Sequence, residues 1–318
     1  MIFAMTASVI IATWNRADRL DDCLGHLIRQ DFLPGDEVIV ADNGSTDHTA
    51  RVVARHATRF PVPLTRLVVP TPGKSHAVAA ALDIAGGDLA CFTDDDVRVG
   101  GHWLAALRRA FADPAVGLAG GPVEPRWEVR PPRWLALAGH SRLGAPLGLL
   151  DYGPNRQPLG RRTLLGANLA VRRHILVEIG GYATHLGKLR GTLLSGEDHE
   201  LCDRVQAAGH EAWYEPSAPV AHWVPADRMR LVYFIRWFFW SGITHSALDA
   251  GHGRTGVVRS LAGQFARGLG GSLAAMARGQ VPHAVDRALD SAFAAGYAAA
   301  RAGIVRTPSG TTPQAGRS

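Results

Sequence analysis

The sequence is poor in cysteine. Its 318 residues include three, Cys23, Cys91 and Cys202, which lie far apart within apolar patterns. Such spacing does not form a disulfide framework, so we expect three reduced side chains in the core of a cytoplasmic protein. The first residues also lack the basic lead of a signal peptide, and the apolar run at residues 8–12 has the length of a strand rather than of a secretory leader.

No apolar run is long enough to be assigned as a membrane span. The most lipid-like stretch, residues 231–248, is interrupted by Arg236 and contains serine, glycine, threonine and histidine. A transmembrane helix needs about 20 mainly apolar residues. Two interpretations of this aromatic stretch stay open. Its side chains pack on the catalytic sheet or in a homodimer interface, or it forms a helix in the membrane interface.

Lysine and glutamate are absent after residue 225. That part of the chain contains eleven arginines and four aspartates, a net charge of +7, whereas residues 1–225 sum to −1. The formal charge of +6 therefore does not indicate a basic face on the whole protein, and we expect no nucleic-acid partner. An arginine-rich end beside a nearly neutral body suits peripheral contact with an anionic membrane, on its cytoplasmic face, or with another anionic partner.

Apolar periodicity predicts an α/β fold. Strands are predicted at residues 8–12, 37–41, 64–70 and 89–93, alternating with helices at residues 19–30, 46–60 and 74–85. This alternation is typical of a doubly wound, mostly parallel sheet flanked by helices. Residues 122–165 break the rhythm with seven prolines and predict a long irregular insertion, which often forms a lid or a substrate wall.

Composition divides the chain into three parts. We predict a catalytic domain at residues 1–225, an arginine-rich helical extension at residues 226–306 and a disordered tail at residues 307–318. The tail is rich in glycine, serine, threonine and proline, and such a segment buries too little apolar surface to fold.

Three consecutive carboxylates form the most informative motif. Asp94, Asp95 and Asp96 follow a short apolar segment. Neighbouring like charges repel, so a strand that ends in three acids usually has a cation to hold or a helix dipole to meet. Open α/β sheets bind their ligands at the carboxyl ends of the strands. The motif favours a divalent-metal site, and the alternative is an acidic turn that caps the next helix.

Polar residues also follow the first two predicted strands. Thr13, Trp14, Asn15 and Arg16 end the first, and Asp42 ends the second. An aromatic face and a carboxylate at neighbouring strand ends are what a nucleotide base needs. The alternatives are a turn with a helix cap at Asp42 and a core position for Trp14.

Three further segments carry candidate residues. Lys74 opens a helix whose free N–H groups attract phosphate. Glu197 and Asp198 fall in the first turn of another helix, where a carboxylate either takes a proton from an attacking hydroxyl or only meets the helix dipole. His222 ends a short apolar strand and is either structural or a further ligand for an ion such as Mn²⁺.

Taken in order, these segments resemble the inverting family 2 glycosyltransferases with the GT-A fold. The resemblance covers about residues 6–225. It rests on the motifs at residues 9–16, 38–47, 94–96, 166–168, 180–182, 196–198 and 220–222. The sequence departs from the family at Ala12 and Trp14, where proline and tyrosine are usual, and at Ala79, where asparagine is common. These departures bear on base selectivity.

The resemblance implies a GT-A (nucleotide-diphospho-sugar transferase, Rossmann-like) fold with a C-terminal helical extension. It implies metal-dependent, inverting transfer of a sugar from a nucleoside diphosphate sugar to an acceptor hydroxyl. A UDP-sugar is the favoured donor, and a lipid-linked acceptor is one option. Mg²⁺ or Mn²⁺ is the implied cofactor. The residues implied at the nucleotide sugar are Thr13, Trp14, Asn15, Arg16, Asp42, Lys74, Asp94, Asp95, Gly166 and Asn168. The implied metal ligands are Asp94, Asp96 and His222, and the implied catalytic residues are the base Asp198 and its neighbour Glu197.

Two other classes of protein use similar parts. A sugar nucleotidyltransferase also has a related sheet and a metal ion, but its glycine-rich N-terminal loop with Thr-Arg and a following Pro-Lys is not found here. A catalytically inactive nucleotide-binding or peripheral membrane protein would not need Asp198. Release of free nucleoside diphosphate rather than pyrophosphate distinguishes the three.

Overall fold

The structure is a computed structural model that describes residues 5–132, 134–135, 141–188, 192–248, 272 and 281–305. The chain divides into two compact units, the first made of residues 1–183 and 197–229 and the second of residues 184–196 and 230–318. The predicted tail lies outside the described residues, as do residues 249–271 and 273–280 of the predicted extension. The predicted domain boundary at residue 225 stays a prediction.

The first unit contains eleven strands among its described residues. They are β1 (Ala7–Thr13), β2 (Glu37–Asp42), β3 (Leu64–Val68), β4 (Leu89–Asp94), β5 (Val97–Val99), β6 (Val116–Gly120), β7 (Val123–Trp127), β8 (Gln157–Pro158), β9 (Asn168–Arg172), β10 (Glu211–Tyr214) and β11 (Val220–Val224). Eight of them form a sheet in the order β3-β2-β1-β4-β9-β6-β10-β8. Strands β3, β2, β1 and β4 are parallel, and β9 runs antiparallel to both β4 and β6. The predicted α/β fold with a mostly parallel sheet is confirmed.

Burial on both faces explains the sequence of the central strands. β1 contains Val9, Ile10 and Ile11, each no more than 1% exposed. A strand that lies between two parallel strands and is covered by helices on both faces has a continuous run of apolar residues. It does not show the alternation of apolar and polar residues typical of a half-exposed strand. The register pairs Thr13 with Asp42 and Ala12 with Asp94. The polar residues that end β1, β2 and β4 therefore meet at one edge of the sheet.

Helices flank this sheet. The described α-helices of the first unit are α1 (Ala17–Leu27), α2 (Thr49–Ala57), α3 (Lys74–Ile84), α4 (Trp103–Ala110), α5 (Ser141–Gly144), α6 (Arg173–Glu178) and α7 (Glu197–Ala207). Helix α3 begins at Lys74 as predicted, but α2 begins three residues later than predicted. The reason is that the backbone N–H groups of Ser45 and Thr46 donate to the side chains of Asp42 and Asn15, so these residues form a loop.

A second, three-stranded sheet has the order β5-β11-β7. Its strand β7 lies within residues 122–165, so the prediction of a wholly irregular insertion is wrong there. β7 contains Pro125, which lacks an N–H donor, and a proline lowers the strand signal of a sequence. β7 runs parallel to β11, and the pairing aligns His222 with Pro125. This small sheet thereby fixes the strand that carries His222. The three cysteines are buried and free, as predicted.

The second unit contains two long described helices, α8 (Leu231–Leu248) and α9 (Val281–Arg301), which pack against each other. Phe234 and Phe238 of α8 are buried, whereas Leu231, Val232 and Ile235 are exposed. Within the described part of the chain, we find no helix whose length and apolarity would let it cross a membrane. The aromatic stretch of the sequence is therefore a helix with one buried and one exposed side.

The contact between α8 and α9 depends on two glycines. A Cβ atom on Gly296 would lie 1.8 Å from the carbonyl oxygen of Phe239, and one on Gly242 would lie 2.1 Å from that of Phe293. These neighbours are backbone atoms, which cannot rotate away. Helices packed this closely require small residues where they cross.

We expect Gly296→Ala to destabilise the second unit by about 2 kcal/mol, within the usual cost of overpacking. Hydrogen exchange of peptides from α8 and α9 should show lost protection. Gly25→Ala in α1 is the matched control, because a Cβ atom there meets nothing within 4 Å. It should leave protection of both units unchanged or slightly raised. Native protection in the Gly296 variant would contradict this packing.

Candidate functional site

The candidate site lies at the edge of the large sheet where β1, β2 and β4 end. Asp94 closes β4, and Asp95 and Asp96 follow it in the turn before β5. β11 pairs antiparallel with β5 and aligns His222 with Val97. The imidazole is thereby held next to the acidic turn. All of the site residues described below belong to the first unit.

Three residues form a group that can hold a divalent metal ion. One ligand atom from each of Asp94, Asp96 and His222 lies within 4.8 Å of the others. Asp96 and His222 are 5% and 3% exposed, and Nε2 of His222 lies 3.3 Å from Oδ1 of Asp96. Among the described residues, neither Oδ1 of Asp96 nor Nδ1 of His222 has a hydrogen-bond partner. Buried polar atoms are normally satisfied, and a metal ion bound to these oxygens and this nitrogen would satisfy them.

Two cations offset the charge of the acidic turn. Arg16 donates from one nitrogen to Oδ1 of Asp95 at 3.1 Å and to Oδ2 of Asp96 at 3.0 Å. Lys74, at the start of α3, donates to Oδ1 of Asp94 at 2.5 Å. Burial opposes the charge on Lys74, but Asp94 in contact and Asp198 and Glu197 nearby raise its pKa. Lys74 thus lies under the electrostatic influence of both the acidic turn and the start of α7.

The neighbouring carboxylates Asp95 and Asp96 differ in pKa. Burial raises the pKa of Asp95 to about 6, against the opposing effect of Arg16. Burial acts in the same direction on Asp96, but His222 and then Arg16 outweigh it and hold the pKa of Asp96 below its usual range. Asp96 is therefore the more acidic of these two carboxylates.

The residues that follow β1 have different partners. The buried hydroxyl of Thr13 donates to Oδ2 of Asp95 at 2.8 Å, so it supports the acidic turn. Trp14 is 42% exposed, so the core alternative for this ring is wrong. Asn15 adopts a positive φ of 51°, which asparagine tolerates better than most residues. Its side-chain oxygen accepts the N–H of Thr46 at 2.7 Å. Asn15 thereby connects the loops after β1 and β2.

Asp42 is fully buried at the end of β2. Its Oδ1 accepts the N–H of Ser45 at 2.8 Å, as the turn alternative requires. Its Oδ2 accepts two N–H groups of Arg66 from β3, at 2.9 and 2.6 Å. Sequence reasoning missed Arg66, because a single arginine in an exposed edge strand is the commonest kind of solvated residue.

Asp198 is held in place by two donors. Its Oδ2 accepts the N–H of Gly166 at 2.7 Å, and the hydroxyl of Tyr182 lies 3.5 Å from its Oδ1. A Cβ atom on Gly166 would lie 2.6 Å from Oδ1 of Asp198, so a larger residue would push the carboxylate out of this position. Gly166 therefore positions the carboxylate, whereas the sequence resemblance placed it at the nucleotide sugar. Glu197 precedes Asp198 at the start of α7 and is buried.

Asn168, which the resemblance places at the nucleotide sugar, lies opposite Thr93 in the pairing of β9 with β4. It is fully buried, and its side-chain amide donates to the carbonyls of Pro122 and Ala218 at 2.9 and 2.7 Å. Its oxygen accepts the indole N–H of Trp103 at 2.8 Å. With these groups engaged inside the fold, Asn168 connects β9 to α4 and to the loops before β7 and β11. These contacts stabilise the fold, and a role at the nucleotide sugar stays a prediction.

Gly148 is a further residue that sequence reasoning missed. It adopts a positive φ of 67°, and a Cβ atom there would lie 3.2 Å from Cε1 of His222. The turn after the 3₁₀ helix Ala145–Leu147 therefore packs directly on the imidazole. No local signal in the sequence connects Gly148 with His222, because the contact is tertiary.

Comparison with known families decides the class of this site. The sequence model of the family Glycosyl transferase family 2 matches residues 8–180. This segment runs from β1 to β9 and includes the acidic turn. The chain belongs to glycosyltransferase family 2. It is therefore a glycosyltransferase rather than a nucleotidyltransferase or an inactive nucleotide-binding protein.

Two relatives with assigned roles in glycan synthesis are similar over most of this glycosyltransferase. The glucosyl-dolichyl phosphate glucuronosyltransferase of Haloferax volcanii is 23% identical over 249 residues, which are 77% of this chain and 78% of the relative. The succinoglycan biosynthesis protein ExoM of Rhizobium meliloti is 30% identical over 215 residues, which are 67% of this chain and 65% of the relative.

A solved structure supports the fold. The mannosyltransferase PcManGT from Pyrobaculum calidifontis, solved in complex with GDP-Man and Mn²⁺, matches with a TM-score of 0.66 and 22% sequence identity. The match covers 94% of this chain and 88% of that structure. The glycosyltransferase described here therefore has the GT-A fold that its sequence predicts.

Proposed function

We propose that this glycosyltransferase transfers a sugar from a nucleoside diphosphate sugar to an acceptor hydroxyl, with inversion at the anomeric carbon and with a divalent metal ion. One observation carries the proposal. Asp94 belongs both to the group of three residues whose ligand atoms lie within 4.8 Å of one another and to a contact at 2.5 Å with the ammonium of Lys74. A group that can hold a metal ion thus lies beside one cation, and a diphosphate bound there would meet both positive charges.

The donor set favours Mg²⁺ or Mn²⁺. Carboxylates suit both ions, and an imidazole ligand favours Mn²⁺ over Mg²⁺. Asp94, Asp96 and His222 would hold the ion. When bound, the ion supplies Lewis-acid stabilisation of the leaving diphosphate, worth several kcal/mol. Lys74 adds a second positive charge next to the diphosphate. Asp42 provides a carboxylate and Trp14 an exposed ring for the nucleotide base. We favour a UDP-sugar as the donor.

Asp198 has the features of a general base. Its position in the first turn of α7 favours the ionised form, because the helix dipole stabilises negative charge there. The N–H of Gly166 fixes Oδ2. The carboxylate would accept the proton of the acceptor hydroxyl as its oxygen attacks the anomeric carbon opposite the leaving diphosphate. One displacement inverts the configuration.

Slow hydrolysis tests inversion without a known acceptor, because water can replace the hydroxyl. Proton NMR should show that an α-linked UDP-sugar with Mn²⁺ first releases the β-anomer of the sugar, before mutarotation. Initial release of the α-anomer would contradict direct inversion. A panel of GDP-sugars and other nucleotide sugars, run in the same way, identifies the donor.

We also propose a lipid-linked acceptor and peripheral contact with an anionic membrane. The Haloferax relative is named for a dolichyl phosphate substrate. In the second unit, α8 exposes Leu231, Val232 and Ile235, and both Arg230 and Arg236 are exposed beside them. α8 contains no acidic residue. An exposed apolar stripe flanked by arginines matches the interface of an anionic bilayer, where each arginine contributes about 1 kcal/mol.

We expect the double substitution Val232→Glu and Ile235→Glu to weaken binding to anionic vesicles at least tenfold. Burying each of these apolar side chains in the bilayer contributes about 1.5 kcal/mol or more to binding. Sedimentation with phosphatidylglycerol vesicles at low and high salt measures the effect. Val177→Glu is the matched control, because Val177 is 74% exposed in the first unit. Wild-type protein that stays in the supernatant with anionic vesicles at low salt would contradict the proposal.

A further inference from the structure

Three arginines surround one aspartate on the outer face of the small sheet. Side chains alternate along a strand, so Trp223 of β11 points away from the face that carries His222. The register aligns Trp223 with Arg126 of β7, and α1 packs on β5 at this face. The resulting arginine cluster lies within the first unit and consists of Arg19, Asp22, Arg98, Arg126 and Trp223.

The cluster has two kinds of contact. Nε and Nη2 of Arg98 donate to the carboxylate of Asp22 at 2.8 to 3.1 Å, and Nη2 of Arg126 lies 2.8 Å from Oδ2 of the same carboxylate. The guanidinium carbons of Arg19 and Arg126 lie 3.8 and 4.7 Å from the centroid of the Trp223 ring. These cation–π contacts orient the two guanidinium groups but offer them no hydrogen-bond acceptor. One carboxylate therefore serves two arginines.

Several donors of the cluster lack an acceptor. Among the described residues, Nε and Nη2 of Arg126 are buried without a hydrogen-bond partner, since the contact of Nη2 with Asp22 is close but not aligned as a hydrogen bond. In the same part of the chain, the guanidinium of Arg19 contacts the ring of Trp223 and has neither a hydrogen bond nor an ion pair. Burial lowers the pKa of Arg126; Asp22 opposes this effect, and Arg98 and Arg19 add to it. The positive charge is therefore only partly compensated.

We propose that the arginine cluster is an anion site, separate from the proposed donor site, that binds the phosphate group of a free phosphorylated molecule or of a phospholipid headgroup. Three arginines and one aspartate leave two positive charges in excess. The register also places Glu124 on this face, where it is exposed, and an excess of one remains when it is counted. The side chains of Arg98 and Arg126 are 38% and 18% exposed, so a ligand can reach them from solvent.

The arrangement favours phosphate over a carboxylate ligand. A phosphate monoester has three terminal oxygens that point in different directions, one for each guanidinium. A carboxylate has two oxygens in one plane, and Asp22 already supplies such a group. Arginine suits phosphate because its planar group donates paired, charge-assisted hydrogen bonds to phosphate oxygens. This site would be filled whether or not the donor site binds a nucleotide sugar.

Titration calorimetry with inorganic phosphate tests the site in the full chain, at low ionic strength and without metal or nucleotide. Lys74→Gln serves as the parent protein, because Lys74 of the proposed donor site also attracts phosphate. We expect this parent to bind one phosphate. Adding Arg19→Gln should weaken that binding at least about tenfold, in the range of hydrogen bonds to charged groups. Arg51→Gln, at an exposed arginine of α2, is the matched control and should bind phosphate like the parent.

Vesicles distinguish the two sources of phosphate. Sedimentation with phosphatidylcholine vesicles that contain phosphatidic acid compares Arg19→Gln with Arg51→Gln in the otherwise wild-type chain. Weaker phosphate binding in the calorimeter supports the site and indicates a free phosphorylated ligand. A tenfold loss of vesicle binding without measurable phosphate binding supports the site and indicates a headgroup.

A purely structural cluster would give a different result. Arg19→Gln and Arg51→Gln would then bind phosphate and vesicles equally, and this outcome would overturn the inference while leaving the proposed function intact, because neither assay contains donor or metal. Arg126→Gln, compared with the same control, covers the case in which the Arg19 variant is unfolded. It removes the guanidinium whose donors lack acceptors, so its binding should also fall at least about tenfold.

Discussion

Asp198→Asn is expected to lower turnover by at least about 10²-fold while leaving donor binding nearly unchanged, because general-base catalysis contributes roughly 10²- to 10⁴-fold. The substitution should preserve the fold. The amide oxygen of asparagine can accept the N–H of Gly166, and its amino group can donate to the hydroxyl of Tyr182, so the contacts with these two residues can be kept. The substitution removes the negative charge and, with it, the capacity to take a proton.

Two variants on the same helix sharpen this test. Asp203→Asn is the matched control, because Asp203 is 61% exposed at its side chain and lies near His199; its turnover should equal that of the wild type. Glu197→Gln examines the buried neighbouring acid. If the glutamine variant is inactive and Asp198→Asn turns over normally, the base is Glu197 and the assignment of the two carboxylates is reversed.

The second large effect concerns the metal group. Asp96→Asn should weaken metal-dependent donor binding by at least about 10²-fold. Removing a residue that only hydrogen-bonds to a metal ligand already lowers metal affinity or activity about 10- to 100-fold. Asparagine keeps the shape of the side chain, and its oxygen can still accept from Arg16, so the fold should persist. Calorimetric titration of the nucleotide with and without Mn²⁺ measures the loss.

Chelation gives an independent test of the same group. Activity should disappear in excess EDTA and return when Mn²⁺ or Mg²⁺ is added. Asp18→Asn is the matched control for Asp96→Asn, because the side chain of Asp18 is 91% exposed. This variant should change neither metal binding nor donor binding. Full activity of the wild type in excess chelator would show that Asp94, Asp96 and His222 do not form a metal centre required for the reaction.

The sequence predicts the parts of the fold whose signals are local. The apolar run Val9 to Ile11 identifies a strand buried on both faces, and the glycine before Lys74 marks the start of α3 within one residue. The position of the acids at the carboxyl end of β4 follows from the same patterns. These features depend on neighbouring residues in the chain, so a single sequence contains them.

Features that depend on distant contacts are not predictable in this way. Asn168 belongs to a recognisable motif, but its partners Trp103 and Pro122 lie 65 and 46 residues away and turn its side chain into the fold. The pair of Arg66 with Asp42 depends on the register between β2 and β3. Pro125 makes strand β7 hard to predict. Proline is unfavourable chiefly in central strands, and β7 lies at the edge of its sheet.

Hydrolysis of the donor in oxygen-18 water tests the central claim most directly, because it reports which bond breaks. The wild-type protein with Mn²⁺ and a suitable UDP-sugar should release free UDP without the label, and the heavy oxygen should appear at the anomeric carbon of the sugar. Mass spectrometry detects both products. Label in the phosphate, or release of pyrophosphate, would mean that a phosphorus–oxygen bond is cleaved, and would contradict sugar transfer at this site.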